Sequence, residues 1–424
     1  MAFVTPATST EPPLPRGWLI VALLFVVGGL NYLDRIMITT MRSSIVEAIP
    51  MTDAQFGLLT AVFLWVYAAL SPFAGFFADK FSRSRVVIGS LFVWSAVTWW
   101  TAHVTTYEQL LLSRALMGIS EAFYLPAALA LIADYHRGTT RSFATGVHMT
   151  GIMVGNGLGG IGGLIAEGRG WSFPFGIFGA VGIGYSVVLL VLLRDAPQPA
   201  NKADGTTPPS QGQVHFGAAI TSLFSRGAFR LAVAFWGLLG LAGWAIAGWM
   251  PTYFKEHFNL SQGVAGMSAT GYREAASMVG VLIGGALADY WSRTNPRGRI
   301  LLPAIGLCIA AVGLLVMANA SVFAIAVGGL ITYGLTRTFT DANMMPILCL
   351  VCDSRYRATG YGVLNCCNCT IAGFTVYFGG ALRDAGGSLG TLYLMASGSL
   401  VVCAVILFAM RPAPGVLAPA ARVN

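Results

Sequence analysis

Gly75-Phe-Phe-Ala-Asp79-Lys80-Phe-Ser82-Arg83-Ser-Arg85 returns 210 residues later as Gly285-Ala-Leu-Ala-Asp289-Tyr-Trp-Ser292-Arg293. Glycine, alanine, aspartate, serine and arginine keep one offset, and that offset is about half of the 424-residue chain. A second echo joins Arg141-x4-Gly146 to Arg357-x4-Gly362. Recurrence at half length marks an internal duplication, and both copies sit at the polar ends of long apolar runs.

Those runs decide the class. The chain is 56% hydrophobic and 10% charged, where a soluble domain carries about 25% charged residues. Apolar residues fill whole segments instead of one stripe, so lipid must surround them. A membrane-spanning helix needs about 20 mostly apolar residues. Twelve such segments are expected, six per half: 17–41, 54–78, 86–104, 109–133, 141–166 and 171–193, then 229–254, 262–288, 299–319, 322–350, 357–382 and 388–410. The runs lack the period-two alternation of barrel strands. The expected domains are a six-helix bundle over 1–194, a linker over 195–228 and a second bundle over 229–424. Proline and charge fill the linker from Asp195 to His215, and Phe216 to Phe229 suits a short helix lying in the interface.

Lysine and arginine set the orientation. With the N-terminus inside, 17 of the 25 fall on the cytoplasmic side and four (Arg42, Arg169, Lys255, Arg383) outside, while Arg35, Arg114, Arg273 and Arg337 lie within segments. This bias puts both termini in the cytoplasm of a multi-pass plasma-membrane protein, a bacterial inner membrane being the natural setting. Residues 1–16 lack the basic start and cleavage site of a signal peptide, so the first run is expected to stay as a span. The net charge of +8 comes from these short loops. Basic helices with interleaved aromatics are missing, so nucleic acid is not an expected partner. All seven cysteines lie between Cys308 and Cys403, mostly in apolar runs where cysteine packs as a small hydrophobe.

The Gly75–Arg85 loop and its weaker copy resemble the signature of the major facilitator superfamily between helices two and three and helices eight and nine. That resemblance implies an all-α membrane protein of twelve helices in two pseudo-symmetric bundles. It also implies a conformational latch on this loop, with Gly75, Asp79, Arg83, Asp289 and Arg293 as its residues. Asn31-Tyr-Leu-Asp34-Arg35 and Arg114-Ala-Leu-Met-Gly118-Ile-Ser-Glu121-Ala122 resemble the anion:cation symporter branch, which carries sugar acids and other organic anions. Spinster-like lipid transporters share much of this pattern. The segment Thr340-Asp341-Ala-Asn343-Met-Met-Pro346 departs from both.

Eight charges stand where charge is costly, at roughly 2.5–3.5 kcal/mol each on insertion scales. Asp34, Arg35, Arg114 and Glu121 lie in the first half; Arg273, Glu274, Arg337 and Asp341 lie in the second. Equal numbers of each sign point to pairing. Arg337 and Asp341, four apart, can pair directly. Arg114 and Glu121, seven apart, share one face about 10 Å apart. Adjacent Arg273 and Glu274 should diverge by about 100°. Substrate binding is assigned to Arg35 and Arg114, whose planar forks match a carboxylate, with hydroxyl and amide help from Tyr32, Tyr124, Asn343 and Asn365. Proton coupling is assigned to Asp34 and Glu121, because burial raises a carboxyl pKa while a nearby arginine lowers it. His148 reads as a packing histidine. The glycines from Gly155 to Gly163 follow no strand and read as a helix-packing face, not a nucleotide loop.

No P-loop, metal set or cofactor motif is present in the sequence, so an ion gradient must supply the energy. The leading expectation is a monomeric, proton-coupled symporter of an organic anion, with sodium as the other coupling ion. Transport of neutral sugars or of lysolipid-like amphiphiles is the alternative, and a non-transporting receptor a more distant one. The topology has a direct test. A cysteine placed at Lys202 should be shielded from an impermeant thiol reagent in intact cells, whereas one at Lys255 should react; labelling at 202 from outside overturns the orientation.

Overall fold

The computed structural model describes residues 14–136, 140–197, 216–295, 297–352 and 357–410. Among them, twelve helical spans appear. They are α1 (Gly17–Thr40), α2 (Asp53–Lys80), α3 (Arg83–Thr101), α4 (Tyr107–Glu121 and Tyr124–Tyr135), α5 (Arg141–Leu158 and Ile161–Arg169) and α6 (Ser172–Leu192). The second six are α7 (Gly227–His257), α8 (Gln262–Ser292), α9 (Gly298–Asn319), α10 (Phe323–Arg337 and Phe339–Val351), α11 (Arg357–Asp384) and α12 (Leu389–Ala409). Eight of the spans are long and apolar enough, by length and composition alone, to cross a membrane. The outer surface is greasy: Val187, Leu190 and Val191 on α6, Leu282 on α8 and Val405 on α12 all point outward, exposed.

Local chemistry sets the ends. α3 begins at Arg83, three residues before the hydropathy boundary, because the Ser82 hydroxyl accepts the Arg85 N–H as an N-cap. Thr106, Ser261 and Ser388 cap α4, α8 and α12 in the same way, each satisfying a donor that the first turn would otherwise leave open. The short helix expected after the linker forms at Phe216–Ser225.

Four spans carry an interruption. α4 breaks at Ala122-Phe123, α5 at Gly159-Gly160 and α10 at Thr338, and α8 contains a π turn at Ser268–Tyr272. The breaks in α4 and α10 are related. Glu121 and Arg337 each close the first part of their span. They are 216 positions apart, the same offset that joins Arg141 to Arg357.

Glycine brings the helices together. A Cβ at Gly151 would meet Phe25 O at 2.4 Å, at Gly155 Gly29 O at 2.1 Å and at Gly163 Thr40 O at 2.7 Å, so α5 lies backbone-to-backbone along α1. The glycine-rich run is thus the packing face expected from sequence. On its other side α5 meets α8: Thr270 Oγ1 donates to Gly157 O at 2.9 Å and Gln262 Nε2 to Gly163 O at 3.4 Å. Across the molecule α2 meets α11, from Gly380 against Asp53 O to the Asn365 Nδ2–Ser71 Oγ contact at 3.4 Å. That contact spans 18 residues of α2, or about 27 Å.

The two halves are thereby joined on the face away from the chain ends. Leu14, Tyr135, Asp195 and Ser82 cluster on one face, and Arg297 bonds the Met410 carbonyl on that same side of the second half. The opposite face carries an ionic ring. Arg42 pairs with Asp53, and Arg383 bonds Asp53 at 2.7 Å and Glu256 at 2.6 and 2.9 Å. Asp384 accepts the Asp53 and Ala54 N–H groups at 2.9 and 2.8 Å, so a residue of α11 caps the start of α2.

The glycine interface makes a paired prediction. Gly155→Ala should destabilise the purified protein by about 1–3 kcal/mol, because backbone stands where the methyl would go. Gly146→Ala, in the same helix with nothing within 4 Å, should be neutral or stabilising by about 0.5–1 kcal/mol. Thermal denaturation of both in one detergent decides it; equal behaviour would mean that α1 and α5 separate readily.

Candidate functional site

The first half gathers its four charges beside one face of α1. Asn31, Asp34 and Arg35 recur at helical spacing and share that face. Arg35 Nε donates to Glu121 Oε2 at 2.5 Å, both side chains being buried. The Arg35 guanidinium also lies 4.6 Å from the Tyr32 ring centroid, 5.0 Å from Phe63 and 4.7 Å from Tyr67. Rings on several sides strip water from the cation and add cation–π attraction. Asp34 takes a hydrogen bond from Thr98 of α3 at 3.2 Å, and its other oxygen has no partner.

Arg114 sits deeper. It is completely buried, lies 5.0 Å from the centroid of the Phe63 ring that also neighbours Arg35, and donates to the Met117 sulfur at 3.0 Å. Its Nε and Nη2 make no hydrogen bond. Asp34 and Glu121 balance its charge from within electrostatic range. Arg114 and Glu121, on one face as their spacing requires, are both fully buried, and Glu121 bonds Arg35 on α1.

The second half repeats the theme with different wiring. Arg273 bonds Glu274 through Nε at 2.9 Å and Nη2 at 2.6 Å. Adjacent helical positions diverge, but a long arginine reaches back to its neighbour when both are buried; the expected divergence of these side chains does not hold. Arg337 Nη1 donates to Asp341 Oδ2 at 2.6 Å, as the spacing predicts. Glu274 lies against Gly157 of α5, with Cβ positions 3.6 Å apart, so this cluster reaches the other half.

Tyrosines come within electrostatic range of both clusters. Tyr32 of α1 is within electrostatic range of Arg35, Glu121 and Glu274, and Tyr361 of α11 within range of Tyr32 and Asp341. Tyr67 and Tyr361 were not singled out from sequence. Their only signal is a hydroxyl inside an apolar run, which many packing tyrosines share. Other candidates sit elsewhere. Tyr124 donates to Leu24 O at 3.0 Å inside the first half, with His148 also bonded to Leu24 O at 3.1 Å. Asn343 donates to Phe339 O at 2.9 Å within its own helix. Asn365 reaches across to Ser71.

For the latch, Arg83 pairs with Asp134 and donates to Ala130 O at 3.1 Å, tying α3 to α4. Asp289 bonds Arg299 at 2.8 Å, tying α8 to α9, and Arg293 is exposed. The surroundings of Gly75 and the side chain of Asp79 lie outside what the structure describes.

Two bundles of helices with apolar outer faces and charge pairs held within each define a polytopic membrane protein. The family model of the Major Facilitator Superfamily matches residues 24–377, and the chain belongs to that superfamily. It is 26% identical over 307 residues to protein spinster homolog 1 of Xenopus tropicalis, covering 69% of this chain but 58% of that protein. It is 25% identical over 363 residues to the probable sulfoacetate transporter SauU of Cupriavidus necator, covering 82% and 83% of the two chains. Among solved structures, an inward-facing, unoccupied bacterial homolog of the human lysosomal transporter spinster superposes with a TM-score of 0.73 at 21% identity, over 93% of this chain and 95% of that one. The chain spans less than two thirds of the length of that Xenopus spinster homolog.

Removing one member of a buried ion pair strands the other. Arg35→Met and Glu121→Met should each lower stability by about 3–5 kcal/mol, and the double variant should recover most of that loss. Thermal unfolding of the three proteins tests this; additive losses would mean that the pair is not the dominant contact of either side chain.

Proposed function

We propose that this chain is a proton-coupled symporter that imports an organic anion, such as a sugar acid, across the bacterial inner membrane by alternating access, with both termini cytoplasmic. The observation that carries the reading is the Arg35–Glu121 pair. A guanidinium held by a carboxylate, among aromatic rings, is a binding site already occupied by a surrogate ligand. Protonation of Glu121 ends its claim on Arg35, and a substrate carboxylate then takes its place, with a second prong of the guanidinium open to it. Release on the far side lets Glu121 lose its proton and return to Arg35.

Helix geometry favours Glu121 for this task. It is the last residue before the α4 break, at the negative end of a helix dipole, where an anion is disfavoured and a proton is held more readily. Arg114, wholly buried, serves as the fixed counter-charge to Asp34 and Glu121. The likeness to a protein named as a probable sulfoacetate transporter supports an anionic substrate. The joined outer ends of the halves fit a resting state open towards the chain termini, in which the ionic ring of Arg42, Asp53, Glu256 and Arg383 must part for the site to open outward.

Two variants in proteoliposomes test the reading. Glu121→Gln should abolish uphill uptake driven by a proton gradient while retaining exchange of labelled for unlabelled substrate. Full accumulation by this variant would remove Glu121 from coupling, and accumulation driven by sodium alone would replace the ion. Arg35→Lys should weaken sugar-acid binding about tenfold or more, since a point charge loses the fork. Equal affinity of the wild type for a sugar acid and its neutral parent sugar would end the organic-anion reading.

A further inference from the structure

Arg337 and Asp341 are unusual among the eight mid-span charges. Arg337 lies 14 residues from each end of α10, about 21 Å from either face. Yet its side chain is 24% exposed and that of Asp341 32%, against 6% and 0% for Arg35 and Glu121. Side chains that deep are accessible only through an internal space or through the lipid face. Their neighbours decide between the two. Glu274 of α8, itself against Gly157 of α5, is within electrostatic range of Arg337, and Tyr361 is within electrostatic range of both Asp341 and Tyr32 of α1. Both therefore look into the space between the halves.

The pair is also incompletely used. One bond, from Arg337 Nη1 to Asp341 Oδ2, joins them, and Arg337 Nε has no partner. Arg337 ends the first part of α10 and Asp341 lies in the first turn of the second part. The cation is at a helix C-terminus and the anion at an N-terminus, so both dipoles favour the ionised pair. Glu121, at the related position of α4, sits at the helix end that disfavours its charge. One half holds a charge that helix geometry loosens, and the other holds a pair that helix geometry fixes.

We propose that Arg337 and Asp341 form a fixed hydroxyl-recognition subsite, taking the vicinal hydroxyls of a polyhydroxylated carboxylic acid whose carboxylate is held by Arg35. A permanent donor beside a permanent acceptor suits a hydroxyl, which donates to Asp341 while it accepts from Arg337. Tyr361, within electrostatic range of Asp341, is placed to receive a further hydroxyl. The proposal rests on the organic-anion reading and narrows it to hydroxylated acids.

The experiment measures binding of two six-carbon acids to the purified full-length protein. One is an aldonate with a hydroxyl on every other carbon; the other is hexanoate, which keeps the carboxylate alone. Hydrogen bonds to charged groups predict a wild-type preference for the aldonate of about tenfold or more. Asp341→Asn should remove most of that preference and leave hexanoate affinity within about twofold, since the carboxylate site is untouched. Should Asp341→Asn fail to fold in a thermal-shift control, Arg337→Lys and Tyr361→Phe read the same preference. A wild type that binds both acids alike, or a preference that survives in the variants that fold, overturns the subsite and leaves the organic-anion reading standing. A wild type that binds neither acid overturns both.

Discussion

An ionised side chain in an apolar bundle must find a partner, and the interior of this protein is arranged by that demand. Arg35 and Glu121 come from different helices and meet at 2.5 Å with almost no exposure. Their contact fixes the rotation of α1 against α4. Tyr32 of α1 and Tyr67 of α2 lie around the guanidinium so positioned. The same rotation leaves Asp34 facing Thr98 on α3. Close approach of α1 to α5 through Gly151, Gly155 and Gly163 holds the helix that carries the charges. Without the glycine face α1 would stand further off, and the four charges would lose the geometry that neutralises them.

The duplication has kept its architecture and exchanged its chemistry. α4 and α10 break at related positions, so each half presents two helix ends near mid-span. Evolution placed a carboxylate at one break and an arginine at the other. A helix end rewards one sign of charge and opposes the other, so a backbone feature shared by the two halves yields a loosened charge in one and a secured pair in the other. A transport cycle needs both: a group that changes state, and a surface that does not.

Much of the fold was legible in the sequence because lipid leaves few options. Unbroken apolar runs, the loop duplication and the 141/357 echo together specify twelve spans and their pairing into halves. The eight charges were legible because each interrupts such a run, and the Arg337–Asp341 pair followed from spacing alone. Contacts between helices were not. Nothing near Glu121 announces that its partner is 86 positions away, and the α4 break falls at Ala122-Phe123, which contains neither proline nor glycine. The Arg273–Glu274 bond escaped a reading based on Cβ directions because a long side chain can fold back on its own helix. Tyr67 and Tyr361 acquire significance only from the rings and charges that tertiary packing sets beside them.

The balance of these charges bears on the membrane potential. Four arginines and four carboxylates leave the ionised, empty bundle with no net charge near mid-span. Moving one elementary charge through a potential of 100 mV is worth about 2.3 kcal/mol, but a neutral bundle carries none across. In the proposed cycle one proton on Glu121 adds a positive charge and one monoanionic substrate cancels it, so the loaded carrier is neutral as well. Such a cycle is electroneutral: voltage neither drives nor opposes it, and accumulation follows the pH difference alone. A cell with a large potential and little pH gradient would gain nothing from this carrier unless a second proton, on Asp34, travelled with the first.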